Sequence, residues 1–80
     1  MRAQDIQQLI EAGLTQCTAI VEGEDGVHFT AIVISPDFIN KNRIQKQQMV
    51  YATLGNCITN GTIHALSIKT FTPDEYATHG

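Results

Sequence analysis

The chain has 80 residues, 42% of them hydrophobic, and a formal net charge of −3 at neutral pH. This length allows one domain with a small core, which we place over residues 1–80, and the composition is that of a folded protein. The acidic balance argues against strong, sequence-independent binding to nucleic-acid backbones, although it permits a local basic patch. The absence of Trp argues against a large aromatic surface for stacking bases.

The sequence indicates a cytoplasmic protein. No segment approaches the roughly 20 apolar residues of a membrane span, and the polar N-terminal segment is unlike a signal peptide. Cys17 and Cys57 do not form a CxxC motif, so they indicate neither a redox pair nor a zinc knuckle. In a reducing cytosol both are expected to be thiols.

Hydrophobic periodicity and turn residues divide the chain into seven segments. In chain order these are a helix at 3–13, strands at 16–22 and 27–35, a short helical turn at 36–42, a long helix at 42–58, a strand at 62–70 and a last short helix that begins after Thr72. The acidic turn at 23–26 predicts that the first two strands are antiparallel. The crossover through the long helix predicts that the second and third strands are parallel.

Local signals fix several helix ends and faces. Gly13 is the expected stop of the first helix and Asn42 the expected N-cap of the long one. Thr72, Pro73 and Glu75 predict a capping box at the last helix. The apolar residues expected to face the core are Phe38 and Ile39 in the short turn and, in the long helix, Ile44, Val50, Tyr51, Leu54, Cys57 and Ile58.

These elements predict an α+β fold with the order α-β-β-α-α-β-α. A three-stranded mixed sheet would be covered by helices on one face. The run 31–34 is apolar on both faces, so its strand is expected inside the sheet. This order resembles a type II KH arrangement, but the sequence lacks a basic Gly-x-x-Gly loop between helices.

Two histidines are the candidates for metal chemistry. His28 opens the second strand and His64 lies near the start of the third, so parallel pairing would bring both to one end of the sheet. Neutral imidazole is a common metal ligand, although ordinary surface or structural histidines fit the same spacing. Cys17 is a less favoured ligand. Cys57 fits a buried apolar position, and His79 lies beside the C-terminus.

Four cations form a candidate binding patch. Lys41, Arg43 and Lys46 lie at the start of the long helix, and Lys69 of the third strand can join them. Cations gain nothing from the dipole at a helix N-terminus, so their position favours a phosphate or an acidic partner surface. A solvated helix face is the simpler interpretation.

No enzymatic constellation is present in the sequence. It contains no GxSxG, P-loop or HExxH motif, and the acidic residues of 22–25 fit a solvated turn. We therefore expect a protein that is not an enzyme.

Three segments together resemble the BolA family. They are 25–29 at the start of the second strand, 43–54 in the long helix, and 63–76, which contains Ile63-His64-Ala65. BolA itself carries Arg-His-Arg in the helix where this chain has 45–48, Gln-Lys-Gln-Gln, so the chain is more similar to the IbaG-like branch.

The resemblance implies the fold described above and a role with iron and sulfur. Members pair with monothiol glutaredoxins, and a [2Fe-2S] cluster can bridge the two proteins. The glutaredoxin supplies a cysteine and the thiol of a bound glutathione, and the BolA protein supplies the histidine that is His64 here. The family's second ligand comes from the loop between the first two strands, which here contains neither Cys nor His. His28 is the nearest substitute and Cys17 a more distant one.

We therefore expect a BolA/IbaG-type adaptor that acts in iron–sulfur cluster assembly, trafficking or iron homeostasis. Alone, it would be an apo monomer or weak homodimer. Some family members are described as DNA-binding regulators, so the alternative is a KH-like transcriptional regulator that binds DNA weakly through Lys41, Arg43, Lys46 and Lys69.

Overall fold

The computed structural model describes residues 2–23, 28–55 and 65–79. Its elements, in chain order, are α1 (Ala3–Gly13), β1 (Thr18–Glu22), β2 (His28–Ile34), the 3₁₀ helix η1 (Pro36–Phe38), α2 (Arg43–Leu54), β3 (Ala65–Phe71) and α3 (Pro73–His79). The predicted α+β fold is confirmed, and the short helical turn is the 3₁₀ helix. No helix in the described ranges is long and apolar enough to cross a membrane.

The sheet has the order β1-β2-β3, with β2 in the centre. β1 is antiparallel to β2, and β3 is parallel to it. Ala31 is the partner of Val21 on one side and of Ile68 on the other. The mixed topology and the central position of the run 31–34 are therefore confirmed.

Side-chain alternation gives the sheet one buried face and one open face. In β2 the buried residues are Phe29, Ala31 and Val33, whereas the alternate residues His28 and Thr30 are exposed. α1 and α2 pack on the buried face. The core is completed by Ile6, Ile10, Ala19, Phe38, Val50 and Leu54.

The predicted core face of α2 is wrong in part. Val50 and Leu54 are buried, but Ile44 is 68% exposed and Tyr51 39% exposed. At 3.6 residues per turn, Ile44 lies about 120° around the helix from Val50, so the two cannot share the face that meets the sheet. Ile39, also expected inside, is 55% exposed because the chain leaves η1 in an extended conformation there.

Two helix ends differ from expectation. α2 ends at Leu54, not at 58, and Gly55 follows with a positive φ of 56°. Gly13 ends α1 as predicted, but not by a left-handed conformation; a Cβ there would lie 2.5 Å from Cγ2 of Thr53, so the glycine permits close approach of α2. The predicted positions of Cys57, Ile58 and the side chain of His79 fall outside the described residues.

The predicted caps are present. The Gln45 amide donates to Asn42 Oδ1 at 2.8 Å, and the Asn42 amide donates to Gln45 Oε1 at 3.0 Å. At α3 the Thr72 amide donates to Glu75 Oε1 at 2.8 Å, and the Glu75 amide donates to Thr72 Oγ1 at 3.2 Å. Each box satisfies two backbone donors that the helix itself leaves unpaired.

A buried serine joins three parts of the fold after β2. The Ser35 hydroxyl donates to the Thr15 carbonyl at 2.9 Å and accepts from the Asp37 amide at 3.1 Å. The Ser35 amide donates to the Phe71 carbonyl at 3.0 Å. The Thr15 amide in turn donates to Asp37 Oδ2 at 2.9 Å. Ser35 therefore ties the segment before β1, η1 and the end of β3 together.

We predict that Ser35→Ala lowers the free energy of unfolding by about 1–3 kcal/mol, because the Thr15 carbonyl and the Asp37 amide lose their hydrogen-bond partner. Chemical denaturation measures the effect. Ser67→Ala is the matched control, since Ser67 is exposed on β3, and it should change stability by no more than about 0.5 kcal/mol. Equal effects of the two substitutions would contradict the role assigned to Ser35.

Candidate functional site

The starts of β2 and β3 lie at the same end of the sheet. His28, the first residue of β2, is the register partner of Ala65, the first residue of β3. The His28 side chain is exposed. His64 itself lies outside the described residues. We call the positions of His28 and Ala65 the strand-start end.

Cys17 is at the other end of the sheet. It precedes Thr18, which pairs with Ile34, the last residue of β2. His28 and Ile34 are six residues apart on β2, which corresponds to about 20 Å. The structure therefore does not bring Cys17 and His28 together.

The Cys17 thiol is also poorly suited to ligate a metal. Burial, and then the negative charges of Glu11 and Asp37, raise its pKa to about 11. A metal binds the thiolate, so the raised pKa makes Cys17 a weaker ligand than an ordinary thiol. Across the part of the chain that the structure describes, no three or more His, Cys, Asp or Glu residues form a group that could hold a metal ion.

The predicted basic patch is divided between two grooves. Arg43 and Lys46 of α2 and Lys69 of β3 line one groove of about 310 Å³, which we call the basic groove. Its other lining residues are Gln47, Ile68, Thr70 and Phe71. Lys41 instead lines a separate groove with Gln45, Gln48, Met49 and Ala52. Three of the four predicted cations are thus brought together.

The contribution of Gln47 to the basic groove was missed from the sequence. Arg43, Lys46 and Gln47 are spaced i, i+3 and i+4, which places them on one side of a helix. A helical projection would have found Gln47 and excluded Lys41. The lining by Ile68 and Thr70 depends on how β3 packs beside α2, which the local sequence does not encode.

One cation of the basic groove already has a carboxylate beside it. Lys46 Nζ lies 3.8 Å from Glu75 Oε1, and the lysine side chain is only 16% exposed. Hydrogen bonds from the backbone and side chain of Thr72, and then the charge of Lys46, lower the pKa of Glu75. The groove therefore carries an exposed Arg43, an exposed Lys69 and a Lys46 whose charge is partly balanced.

Residues 11–75 match the family model described as BolA-like protein. The protein belongs to the BolA family. This BolA-family chain is 39% identical over 77 residues to the acid stress protein IbaG of Escherichia coli K12, covering 96% of this chain and 90% of that protein. The resemblance seen in the sequence is therefore confirmed, including its IbaG-like character.

Two further relatives extend the comparison. A bolA protein homologue from Coxiella burnetii has a solved structure with a TM-score of 0.85, at 44% identity, covering 96% of this chain and 97% of that one. The DNA-binding transcriptional regulator BolA of Haemophilus influenzae is 39% identical over 49 residues, which are 61% of this chain and 47% of that protein.

We predict that Cys17 of this BolA-family protein resists alkylation at neutral pH. Glu11→Gln should lower the pKa of Cys17 from about 11 while leaving it above the ordinary 9.0, because burial is the largest cause of the shift. Glutamine keeps an acceptor for the Ala19 amide, which donates to Glu11 at 3.0 Å. The measurement is the pH dependence of iodoacetamide labelling, with Cys17 and Cys57 separated by peptide mass spectrometry.

The control for this titration is Glu22→Gln, a charge removed at the other end of β1. It should leave the labelling profile of Cys17 unchanged. A labelling midpoint at or below 9.0 in the unmodified protein would contradict the assignment of burial as the main cause.

Proposed function

We propose that this protein is a non-enzymatic adaptor that pairs with a monothiol glutaredoxin and shares a [2Fe-2S] cluster with it. The role would lie in iron–sulfur cluster assembly, trafficking or iron homeostasis. Family membership supports the proposal, and one structural observation carries it. In the parallel register, His28 is the partner of Ala65, the residue bonded to His64.

The register also defines how two histidines of this chain would meet a cluster. His28 belongs to the open face of the sheet, with Thr30 and Ile32. His64 is bonded to Ala65, the first residue of β3 and the register partner of His28. His28 and His64 would therefore supply this chain's ligands to a cluster at the strand-start end. The partner's cysteine and a glutathione thiol would complete the ligand set.

Histidine ligation suits a protein that passes a cluster on. Replacing a thiolate by a neutral imidazole reduces the negative charge of the cluster and raises its potential, as in Rieske centres. Because a ligating imidazole must be deprotonated, acid favours release of the metal. The distance and the protonated state of Cys17 make it the weaker candidate for the second ligand.

The test is anaerobic co-purification with a monothiol glutaredoxin, followed by visible absorption and circular dichroism. His64→Ala should abolish the cluster spectrum of the heterodimer, and His28→Ala should weaken or alter it. Cys17→Ser is the matched control and should leave the spectrum unchanged. An unchanged spectrum in the His64→Ala complex would refute the proposal, and loss of the spectrum in Cys17→Ser alone would reverse the assignment of the second ligand.

The second candidate function is a KH-like DNA-binding regulator. The Haemophilus influenzae relative bears that description, and the basic groove gathers Arg43, Lys46 and Lys69. Two observations weaken this candidate: the net charge is −3, and Lys46 already lies beside Glu75. We therefore favour the adaptor.

We predict that DNA binds this protein weakly and without sequence preference. Three phosphate contacts give a slope of log K against log salt of about −2.7, so affinity should vanish at physiological salt while glutaredoxin binding persists. Titrations at low and physiological salt measure both, with Arg43, Lys46 and Lys69 changed to alanine and Lys41→Ala as control. Sequence-selective, salt-resistant binding that the triple variant loses would make the regulator the better interpretation.

A further inference from the structure

We propose that the outer edge of β3 and the basic groove beside it bind an extended acidic segment of a partner protein, which adds to the sheet as a fourth strand. This inference goes beyond the adaptor function and needs neither the cluster nor the two histidines. It rests on the backbone of β3, the protection of the opposite edge and the charge of the groove.

The backbone of β3 presents hydrogen-bonding groups away from β2. The Phe71 carbonyl accepts the Ser35 amide, so Phe71 turns its backbone groups toward β2. The N–H and C=O of one residue point to the same side of a strand, and this side alternates from residue to residue. Ile68 and Thr70 therefore turn theirs to the outer edge. No described residue pairs with this edge.

The other edge of the sheet is protected, which makes the exposed edge of β3 distinctive. β1 is only five residues long, and α1 packs against it. The Ala19 amide on β1 donates to the Glu11 carboxylate at 3.0 Å. The Glu11 side chain thus accepts the hydrogen bond that an added strand would need from the Ala19 amide. Proteins commonly block edge strands in this way.

The charge of the basic groove selects an acidic occupant. A strand beside Ile68 and Thr70 would place alternate side chains toward Arg43 and Lys46 on the helix side, and the others toward Lys69 on the open face. Glu75 shows that a carboxylate is accommodated beside Lys46, at 3.8 Å.

A second copy of the same chain is a poor occupant. Pairing of two β3 strands would bring Lys69 of one chain toward Lys69 of the other, and like charges on adjacent strands are destabilising. Lysine on an edge strand is a known device against self-association. Here the same cation would attract an acidic strand.

The direct test uses the isolated apo protein and the acetylated, amidated octapeptide Val-Glu-Glu-Val-Glu-Glu-Val-Glu, which places glutamates on both sides of an extended strand. Binding is followed by amide NMR at physiological salt. The Ile68 and Thr70 amides should shift and exchange more slowly with solvent, because each gains an acceptor or a covering strand. The same peptide with Lys in place of Glu should not bind, and neither should the Glu peptide methylated on alternate backbone nitrogens.

Variants separate charge from backbone pairing. Arg43→Gln with Lys69→Gln should weaken the peptide at least about 10-fold, since charged hydrogen-bond partners are lost. Lys41→Gln is the control outside the groove and should change affinity by no more than about twofold, because solvent screens its charge. Thr70→Pro removes an outward-facing donor that the ladder to β2 does not use, and should abolish binding; the methylated peptide tests the same point if this variant does not fold.

Several outcomes would overturn the proposal. One is that the peptide leaves the Ile68 and Thr70 amides unchanged. Another is that the methylated peptide binds as well as the unmethylated one, which would show charge attraction without strand addition. A third is that a single-stranded oligonucleotide of equal charge occupies the groove and displaces the peptide at physiological salt. None of these outcomes depends on glutaredoxin. The peptide experiment can therefore fail without contradicting the cluster proposal, and the cluster experiment can fail without contradicting strand addition.

Discussion

The parallel pairing of β2 and β3 is the constraint on which the rest of the molecule depends. It makes His28 the partner of Ala65, so both strands begin at one end of the sheet. It also requires a crossover between them, and α2 in that crossover packs against the buried face beside β3. The same pairing leaves the other side of β3 as an edge. An antiparallel β3 would start at the opposite end, and the two histidine positions would be separated by about the length of the strand.

Ser35 holds this pairing where β2 ends. Its amide continues the contact with β3 through the Phe71 carbonyl, and its hydroxyl joins Thr15 and Asp37. The residue is fully buried, so each of these groups exchanges water for a partner inside the protein. The chain can therefore leave the sheet and begin η1 without an unsatisfied polar group. This fixes the point from which the chain proceeds to α2.

The features predictable from sequence were those that a few neighbouring residues encode. Asn42 and Thr72 begin helices because each caps an amide three residues later. The apolar run 31–34 indicated a central strand, and the strand is central, although Ile32 and Ile34 are only half-buried on the open face. Ile44 was wrongly predicted to face the core, because hydrophobicity alone does not reveal which side of α2 meets the sheet. The edge of β3 was not predictable, since an edge is defined by what lies beside a strand.

The candidate site was predictable to the same degree. Residue type and position selected His28, and the parallel register then supported its pairing with the start of β3. The sequence grouped four cations, and the structure divides them between two grooves, a division that depends on packing. Lys41 precedes the first turn of α2 and lines a separate groove, whereas Lys69 lines the same groove as Arg43 and Lys46. Spacing in the sequence carries no information on that arrangement.

The two proposed surfaces lie toward opposite ends of β3. Ala65 marks the strand-start end, and Phe71, at the other end, lines the basic groove. Six residues of extended chain separate them by about 20 Å. A group bonded to a cluster at the strand-start end would therefore not reach the far end of the groove, and the cations there would act on a partner's surface instead.

Glu75 couples the groove to the fold. Because its pKa is lowered in the folded state, its ionised carboxylate stabilises the cap of α3 at neutral pH, and this contribution is lost as the pH falls through the folded-state value. The other bond of the cap, from the Glu75 amide to Thr72 Oγ1, does not depend on that charge. Protonation at that point would also remove the carboxylate charge beside Lys46, so the stability of the last helix and the net charge of the groove depend on the same group.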